Sequence, residues 1–221
     1  GPEEVFLQLA PISFDASTLE VWGALLHGAR LVLAPPHALS LEDLASLLTR
    51  HRVSTLWLTA ALFEQMAVHQ GAALASVRQV LAGGDALPAA RVREHLSRLA
   101  PGAVLVNGYG PTENTTFTAC HRLDAGASFG ASVPIGRPIS NTRASRAGRG
   151  PTASRRWRAG RRCMPAEHGL AWGYLGRADL TAERLHPQPL RHPASGSTAP
   201  ATRPAGCRTA PSSSWAVTTP R

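Results

Sequence analysis

The sequence predicts an α/β fold made of parallel-sheet βα units over residues 1–143, followed by a largely disordered tail over residues 144–221. Between residues 41 and 107, short apolar segments alternate with longer segments of helical periodicity, which is typical of a parallel sheet. After residue 143 the composition changes, because 78 positions contain only seven Val, Ile, Leu, Phe or Met but nine Pro. So little apolar surface cannot offset the entropy cost of ordering the chain.

The first predicted helix is LEDLASLLTRH, residues 41–51, with Ser40 and Asp43 at capping-box spacing. A strand at 53–58 (VSTLWL) and a helix over 60–69 follow, the latter with Leu62, Phe63 and Met66 on its inner face. The pattern then repeats as the strand VRQVLA, a turn at GGD, a helix from Pro88 to Leu99 and a strand at 103–107. In open parallel sheets ligands bind beyond the carboxyl ends of the strands. The loops GGDALP and NGYGPTEN are therefore the candidate binding loops.

Charge is divided unevenly along the chain. Residues 1–143 have a net charge near −1, whereas the tail carries 13 Arg against three acidic residues. All 23 basic residues are Arg, so a mechanism that needs Lys is excluded within this chain. The tail has no basic helix, zinc-ligand spacing or RNA-binding signature, and no segment is long enough for a membrane span. We therefore predict neither nucleic acid nor membrane as a partner, and anion binding by the Arg-rich tail stays an alternative.

Three widely spaced cysteines and the absence of a signal-peptide pattern at Gly1 predict free thiols in the cytoplasm. The segment NGYGPTENTTFTAC, residues 107–120, combines two glycines, a tyrosine, several hydroxyl side chains and one carboxylate. Glycines permit close backbone approach, and a carboxylate can bind a hard cation such as Mg²⁺. The composition fits nucleotide binding, but the residues alone fit a tight surface turn equally well.

Four segments in order resemble the adenylation (AMP-binding) domains of nonribosomal peptide synthetases. They are FDASTLEVW at 14–22, GGDALP at 83–88, NGYGPTE at 107–113 and PIGRPISNTR at 134–143. The resemblance implies part of the large N-terminal subdomain of an adenylate-forming ligase of secondary metabolism. Its expected cofactors are ATP and Mg²⁺, together with phosphopantetheine on a partner carrier domain. The expected partners are the amino acid itself and the peptidyl carrier and condensation domains of a synthetase.

The same resemblance implies roles for individual residues. Asp15 would pair with the α-ammonium group of the substrate, and the uncharged remainder of the pocket resembles that of valine-activating members. The implied substrate-binding residues are Asp15, Ala16, Leu19, Trp57, Leu81, Gly83, Gly108, Thr116 and Phe117. The implied nucleotide-binding residues are Gly83, Gly84, Asp85, Asn107, Tyr109, Gly110, Thr112 and Glu113, with Glu113 also binding the metal. Trp57 as plain strand core, and an acyl or aryl acid ligase without a use for Asp15, remain alternatives.

The resemblance is interrupted after residue 143 and returns only at 169–190 (GLAWGYLGRADLTAERLHPQPL). Reading residues 197–221 with the last base of each codon joined to the first two bases of the next permits LYRTGDPARWLPDGTLEFLGRDDAQ, which resembles two further family motifs. We therefore interpret the tail as frameshifted. The family's phosphate loop, TGD aspartate and catalytic lysine are missing, so we predict no catalytic residue here and a fragment that is inactive alone. A noncatalytic remnant that binds nucleotide or amino acid is the remaining alternative.

Overall fold

A seven-stranded sheet organises the first part of the chain. In this computed structural model the described residues are 1–146, 163–166, 169–187 and 215–217, and at 143–146, 163–166, 186–187 and 215–217 only the backbone is described. The strands are β1 (Val5–Gln8), β2 (Arg30–Leu33), β3 (Thr55–Thr59), β4 (Gln79–Gly83), β5 (Val104–Tyr109), β6 (Ala119–Leu123) and β7 (Arg137–Pro138). Their spatial order is β2-β1-β3-β4-β5-β6-β7. Strands β1 to β5 pair in parallel, whereas β6 and β7 are antiparallel, so the predicted α/β fold is confirmed.

Helices connect the parallel strands. They are α1 (Ala16–Leu25), α2 (Leu41–His51), α3 (Ala60–His69), α4 (Gly71–Ala75) and α5 (Ala89–Leu96). Later in the chain, β8 (Arg143–Arg146) pairs with β9 (Cys163–Ala166), and β10 (Leu185–Pro187), which follows α6 (Ala178–Arg184), pairs with β11 (Trp215–Val217). The predicted disorder and frameshift of the tail concern mostly residues outside the described ranges. Within those ranges, no helix is long and apolar enough to cross a membrane.

The predicted helices form largely as their sequence signals indicate. Ser40 is the N-cap of α2, and its Oγ accepts a hydrogen bond from the Asp43 N–H at 3.0 Å. Helix α3 has the predicted bounds, with Phe63 and Met66 fully buried. Helix α5 ends three residues before the predicted Leu99, because the last amides bond to carbonyls three residues back and the chain tightens into turns.

Two apolar cores lie on opposite faces of the sheet. The larger core includes Leu56, Leu58, Val80, Ala82 and Leu105, and helices α2, α3 and α5 contribute residues to it. Because side chains alternate along a strand, the residues between these point to the other face. There α1 packs on β1, β2 and β3. The second face bears the candidate site.

His95 is the polar residue most fully enclosed in the larger core. It is 1% exposed, neither ring nitrogen has a hydrogen-bond partner among the described residues, and its ring meets Phe63 edge-on at 5.5 Å. Burial, with a smaller contribution from the Arg98 charge, lowers the pKa of His95 to about 4. The neutral imidazole is therefore the form that the fold accommodates.

We expect acid to destabilise the fold through His95. The unfolded residue takes up a proton near pH 6.5, whereas the folded residue does so only near pH 4. Its contribution to the free energy of unfolding is thus complete above pH 6.5 and declines towards pH 4, by up to about 1.4 kcal/mol per pH unit. In urea denaturation at several pH values, His95→Leu should remove this slope, while the exposed control His69→Leu should retain it. Equal slopes in both variants would contradict the assignment.

Candidate substrate and nucleotide site

The predicted pocket residues come together in a second apolar cluster. Trp57 and Leu81 are direct neighbours across β3 and β4, and Leu81 is next to Val106 of β5. Ala16 from α1 is buried against Trp57 and Leu81, while Leu19 and Phe117 pack on the cluster from its partly open side. The Phe117 ring meets the Trp57 ring edge-on, with 5.3 Å between ring centroids. Three strands, one helix and the loop after β5 thus enclose one apolar space.

Glycines line the end of this space nearest the carboxyl edge of the sheet. Gly83 and Gly108 are neighbours across β4 and β5. A Cβ atom at Gly83 would lie 2.0 Å from the Gly108 carbonyl oxygen and 3.0 Å from the Trp57 ring. A Cβ atom at Gly108 would lie 2.4 Å from the Phe117 ring. Both positions need Gly because two large rings lie directly over the backbone.

Asp15 joins helix α1 to the loop after β5. Its Oδ2 accepts a hydrogen bond from the Thr116 N–H at 3.1 Å, and its carbonyl oxygen accepts one from the Thr116 hydroxyl at 2.7 Å. Asp15 is half-buried and precedes the first residue of α1, where the helix dipole favours a negative charge. One carboxylate oxygen is therefore fixed by Thr116, and Oδ1 has no hydrogen-bond partner among the described residues.

The turn that holds Asp15 contains two strained residues. Thr115 and Thr116 have φ values of 54° and 65°, which β-branched residues rarely adopt. Each threonine hydroxyl donates a hydrogen bond across the site, from Thr115 to the Gly169 carbonyl at 2.8 Å and from Thr116 to Asp15. These bonds offset the strain and fix the approach of Phe117 to the pocket.

Glu20 is a buried carboxylate beside the pocket that no sequence motif indicated. It lies on α1, is 1% exposed, and accepts hydrogen bonds from the Leu9 and Ala10 N–H groups at 3.2 and 3.1 Å. It therefore fastens the chain after β1 to the helix that begins next to Asp15. Burial raises the pKa of Glu20 to about 7, against the opposing effect of the two backbone bonds. A single acidic residue in the otherwise apolar stretch LEVWGALL was the available signal.

We expect Glu20 to make the fold less stable as the pH rises from 4.5 to 7. The unfolded side chain loses its proton near pH 4.5 and the folded one near pH 7, so the stabilisation is complete below 4.5 and lost through 7. This slope is opposite in sign to that of His95. In Glu20→Gln, urea denaturation should show the loss removed, by up to about 1.4 kcal/mol per pH unit relative to the parent chain. An unchanged pH profile would refute it.

The predicted nucleotide-binding residues occupy the loops at the same edge. Gly84 has a φ of 82°, and the exposed Asp85 accepts a hydrogen bond from the Ala86 N–H at 2.6 Å, which closes the GGDALP turn. Gly110 allows the two arms of the next loop to meet, since a Cβ there would lie 2.5 Å from the Thr116 carbonyl oxygen. Tyr109 ends β5, and Thr112 and Glu113 form the 3₁₀ turn Thr112–Asn114.

Asn107 lies apart from the other predicted nucleotide-binding residues. It pairs in register with Ala82, which belongs to the larger core on the opposite face, and is 4% exposed. Its amide donates a hydrogen bond to the Pro134 carbonyl at 2.9 Å. The structure thus gives Asn107 a role in holding the 134 segment, and direct contact with a nucleotide stays a prediction.

Glu113 has two contacts with the segment that begins at Gly169. Its carboxylate Oε1 accepts a hydrogen bond from the Tyr174 hydroxyl, and its carbonyl oxygen accepts one from the Ala171 N–H at 2.6 Å. No group of three or more His, Cys, Asp or Glu that could hold a metal occurs among the described residues. A lone carboxylate fits Mg²⁺ bound with a nucleotide, because that ion keeps several waters and uses one or two carboxylates plus phosphate oxygens.

A parallel sheet with an apolar pocket and glycine-rich loops at its carboxyl edge defines an α/β protein with a ligand site at the usual position of such folds. Residues 1–145 match the family of AMP-binding enzymes, and the chain belongs to that family.

The chain is similar to large peptide synthetases. It is 47% identical over 188 residues to one of the linear gramicidin synthase proteins and 38% identical over 185 residues to tyrocidine synthase 3, both from Brevibacillus parabrevis. These matches cover 85% and 83% of this chain but only 2% and 3% of the relatives. The chain thus spans a small part of the curated relatives it matches.

Solved structures give the same result. The chain is similar to holo-PA1221, an NRPS protein containing adenylation and PCP domains, with 38% identity, a TM-score of 0.74, and coverage of 86% of this chain and 33% of that one. It is also similar to the Klebsiella oxytoca NpsA N-terminal subdomain in complex with anthranilyl-AMSN, with 29% identity, a TM-score of 0.72, and coverage of 86% and 48%. The predicted resemblance to adenylation domains of nonribosomal peptide synthetases is confirmed.

Proposed function

We propose that this chain forms the amino-acid pocket and part of the nucleotide site of an adenylation domain that activates valine. The observation that carries the proposal is the half-buried Asp15 carboxylate at the rim of the cluster of Ala16, Leu19, Trp57, Leu81 and Phe117. An α-ammonium group at Asp15 Oδ1 would supply the partner that a half-buried carboxylate requires. The side chain of the same amino acid would then enter the apolar cluster.

The reaction we assign to the intact domain joins the amino acid to AMP. A carboxylate oxygen of the amino acid attacks the α-phosphorus of ATP, the bond from that phosphorus to the bridging oxygen breaks, and pyrophosphate leaves. The loop residues Gly83, Gly84, Asp85 and Tyr109 would surround the adenine, and Thr112 would contact the α-phosphate. Glu113 would hold Mg²⁺, which supplies neutralisation of phosphate charge. In the parent synthetase, the aminoacyl group would pass to the phosphopantetheine thiol of a carrier domain, next to a condensation domain.

The size and polarity of the pocket favour a short aliphatic substrate. Apart from Asp15, its proposed lining bears no charge, and the Trp57 and Phe117 rings close it in edge-to-face contact. One methylene in such a pocket changes binding by roughly 1 to 3 kcal/mol. We therefore expect measurable binding of isoleucine and leucine, each weaker than that of valine.

An aryl or acyl acid is the second candidate substrate, because the NpsA subdomain is described with anthranilyl-AMSN. Such an acid has no α-ammonium group and would leave Asp15 without a charged partner. The higher identity to linear gramicidin synthase supports the amino acid. The third candidate, a noncatalytic remnant that binds anions through its Arg-rich tail, predicts binding that weakens steeply with salt.

Calorimetric titration of the chain with matched small molecules tests the proposal. Valine should bind more tightly than isoleucine, leucine and 3-methylbutanoate, which is valine without its amino group. Tighter binding of anthranilate or 3-methylbutanoate than of valine would support the aryl or acyl acid instead. Absence of binding by every compound would contradict the proposal for this chain, which we expect to bind amino acid without completing the reaction.

We further propose that the tail is encoded in a displaced reading frame. Of the residues that carry this interpretation, 197–221, only 215–217 lie within the described ranges. Resequencing of the encoding DNA from codon 143 onward should reveal single-base corrections that restore the YRTGD and LGRDD motifs. Confirmation of the present frame would identify a decayed relative of a valine-activating domain.

A further inference from the structure

The segment at 169–187 closes over the predicted metal-binding turn. The Thr115 hydroxyl donates to the Gly169 carbonyl at 2.8 Å, and the Ala171 N–H donates to the Glu113 carbonyl at 2.6 Å. Gly169 fits so closely that a Cβ there would lie 3.0 Å from the Asn114 carbonyl oxygen. Three successive residues of the turn therefore contact one short segment that lies more than 50 positions along the chain.

Tyr174 is held at both ends of its length. Its backbone N–H donates to the Thr181 hydroxyl of α6 at 2.9 Å, and Thr181 in turn donates to the Arg177 carbonyl at 2.8 Å. At the other end, the Tyr174 hydroxyl donates to Oε1 of Glu113. The ring thus acts as a strut between α6 and the carboxylate, and it fixes the orientation of the Glu113 side chain.

We propose that Tyr174 is a positioning residue for a divalent cation bound with nucleotide at Glu113, an inference that rests on the proposed function. The Tyr174 hydroxyl occupies Oε1, so Oε2 is the oxygen left for the cation. An unrestrained glutamate has three rotatable bonds, and fixing it in advance removes part of the entropy cost of metal binding. Hydrogen-bond partners behind a metal ligand typically change metal affinity by 10- to 100-fold when they are removed.

The inference assigns a function to the isolated stretch of family-like sequence in the tail. Trp172 and Leu175 flank Tyr174 and are fully exposed, so the segment is not held by burial of its large apolar side chains. Its described contacts with the turn at 112–115 are instead polar and are directed at the residues around Glu113. A segment that only covered the turn would have no need of a tyrosine hydroxyl at this carboxylate.

The test measures how much Mg²⁺ improves ATP affinity. The full chain is titrated with ATP by calorimetry, once with excess Mg²⁺ and once with EDTA, and the ratio of the two dissociation constants is the readout. Glu113→Gln should reduce this ratio to near one. Tyr174→Phe, which removes only the hydroxyl, should reduce it roughly 10-fold and leave affinity in EDTA unchanged. Leu175→Ala, at the exposed neighbouring position, is the matched control and should behave as the parent chain.

Each other outcome contradicts a specific claim. An unchanged ratio in Tyr174→Phe, or an equal loss of affinity in both buffers, would overturn the positioning role alone, because the second pattern indicates only a structural contact. No advantage of Mg²⁺ in the parent chain would overturn both the proposed nucleotide site and this inference. Thermal unfolding followed by circular dichroism verifies that each variant retains the parent fold.

Discussion

Asp15→Asn is expected to weaken valine binding by roughly 10- to 100-fold, the usual range for loss of a charge-assisted hydrogen bond. Asparagine retains a side-chain oxygen that can accept from the Thr116 N–H, so the contact between α1 and the loop is preserved. Only the negative charge facing the proposed ammonium position is lost. The measurement is calorimetric titration with valine and with 3-methylbutanoate.

The des-amino compound provides the internal control for this prediction. Because 3-methylbutanoate lacks the ammonium group, its affinity should be unchanged or slightly higher in Asp15→Asn. Asp124→Ala removes an exposed carboxylate outside the site and should leave both affinities unchanged. An equal loss for both compounds in Asp15→Asn would indicate that Asp15 supports the loop without recognising the ammonium group.

Gly83→Ala is expected to destabilise the fold by about 3 kcal/mol or more, at the upper end of the range for overpacking a core. The new methyl group would lie 2.0 Å from the Gly108 carbonyl oxygen, which is backbone of the neighbouring strand and cannot rotate away. Strands β4 and β5 would have to separate at the edge where the pocket opens. Urea denaturation of the parent and variant chains measures the effect.

Gly84→Ala is the matched control at the next position. Gly84 has a φ of 82° and nothing within 4 Å of the added methyl group. Its cost should therefore be backbone strain alone, roughly 1 to 2 kcal/mol. If the two variants were equally destabilised, close packing of β4 against β5 would not be the reason for glycine at position 83.

The sequence predicted those elements whose signals are local. Helix α2 begins at its N-cap Ser40, and α3 has the predicted bounds, since both combine capping side chains with an apolar inner face. Helix α1 was not predicted because its apolar residues lie on all sides, and Trp22, Leu25 and Leu26 are more than half exposed. The antiparallel strand β6 was missed for a different reason. Its direction is set by a turn with positive φ at two threonines, which composition does not indicate.

The site was predictable where resemblance supplied positions and unpredictable where tertiary contacts supply them. Trp57, Leu81 and Phe117 are far apart in sequence, yet they lie in one cluster as the resemblance implied. Nothing local indicates that Thr116 would hold Asp15 at a separation of 101 residues, or that Tyr174 would reach Glu113. Asn107 shows the converse, because strand alternation turns its side chain to the other face of the sheet. These contacts depend on strand register and loop conformation.

The most direct test of the account is a crystal structure of the chain with a nonhydrolysable valyl-adenylate analogue. We expect its α-ammonium group within hydrogen-bonding distance of Asp15 Oδ1, its isopropyl group against Trp57, Leu81 and Phe117, and its adenine beside Gly83, Gly84 and Tyr109. An analogue bound elsewhere, or with its ammonium group directed away from Asp15, would contradict the claim that this pocket recognises an amino acid.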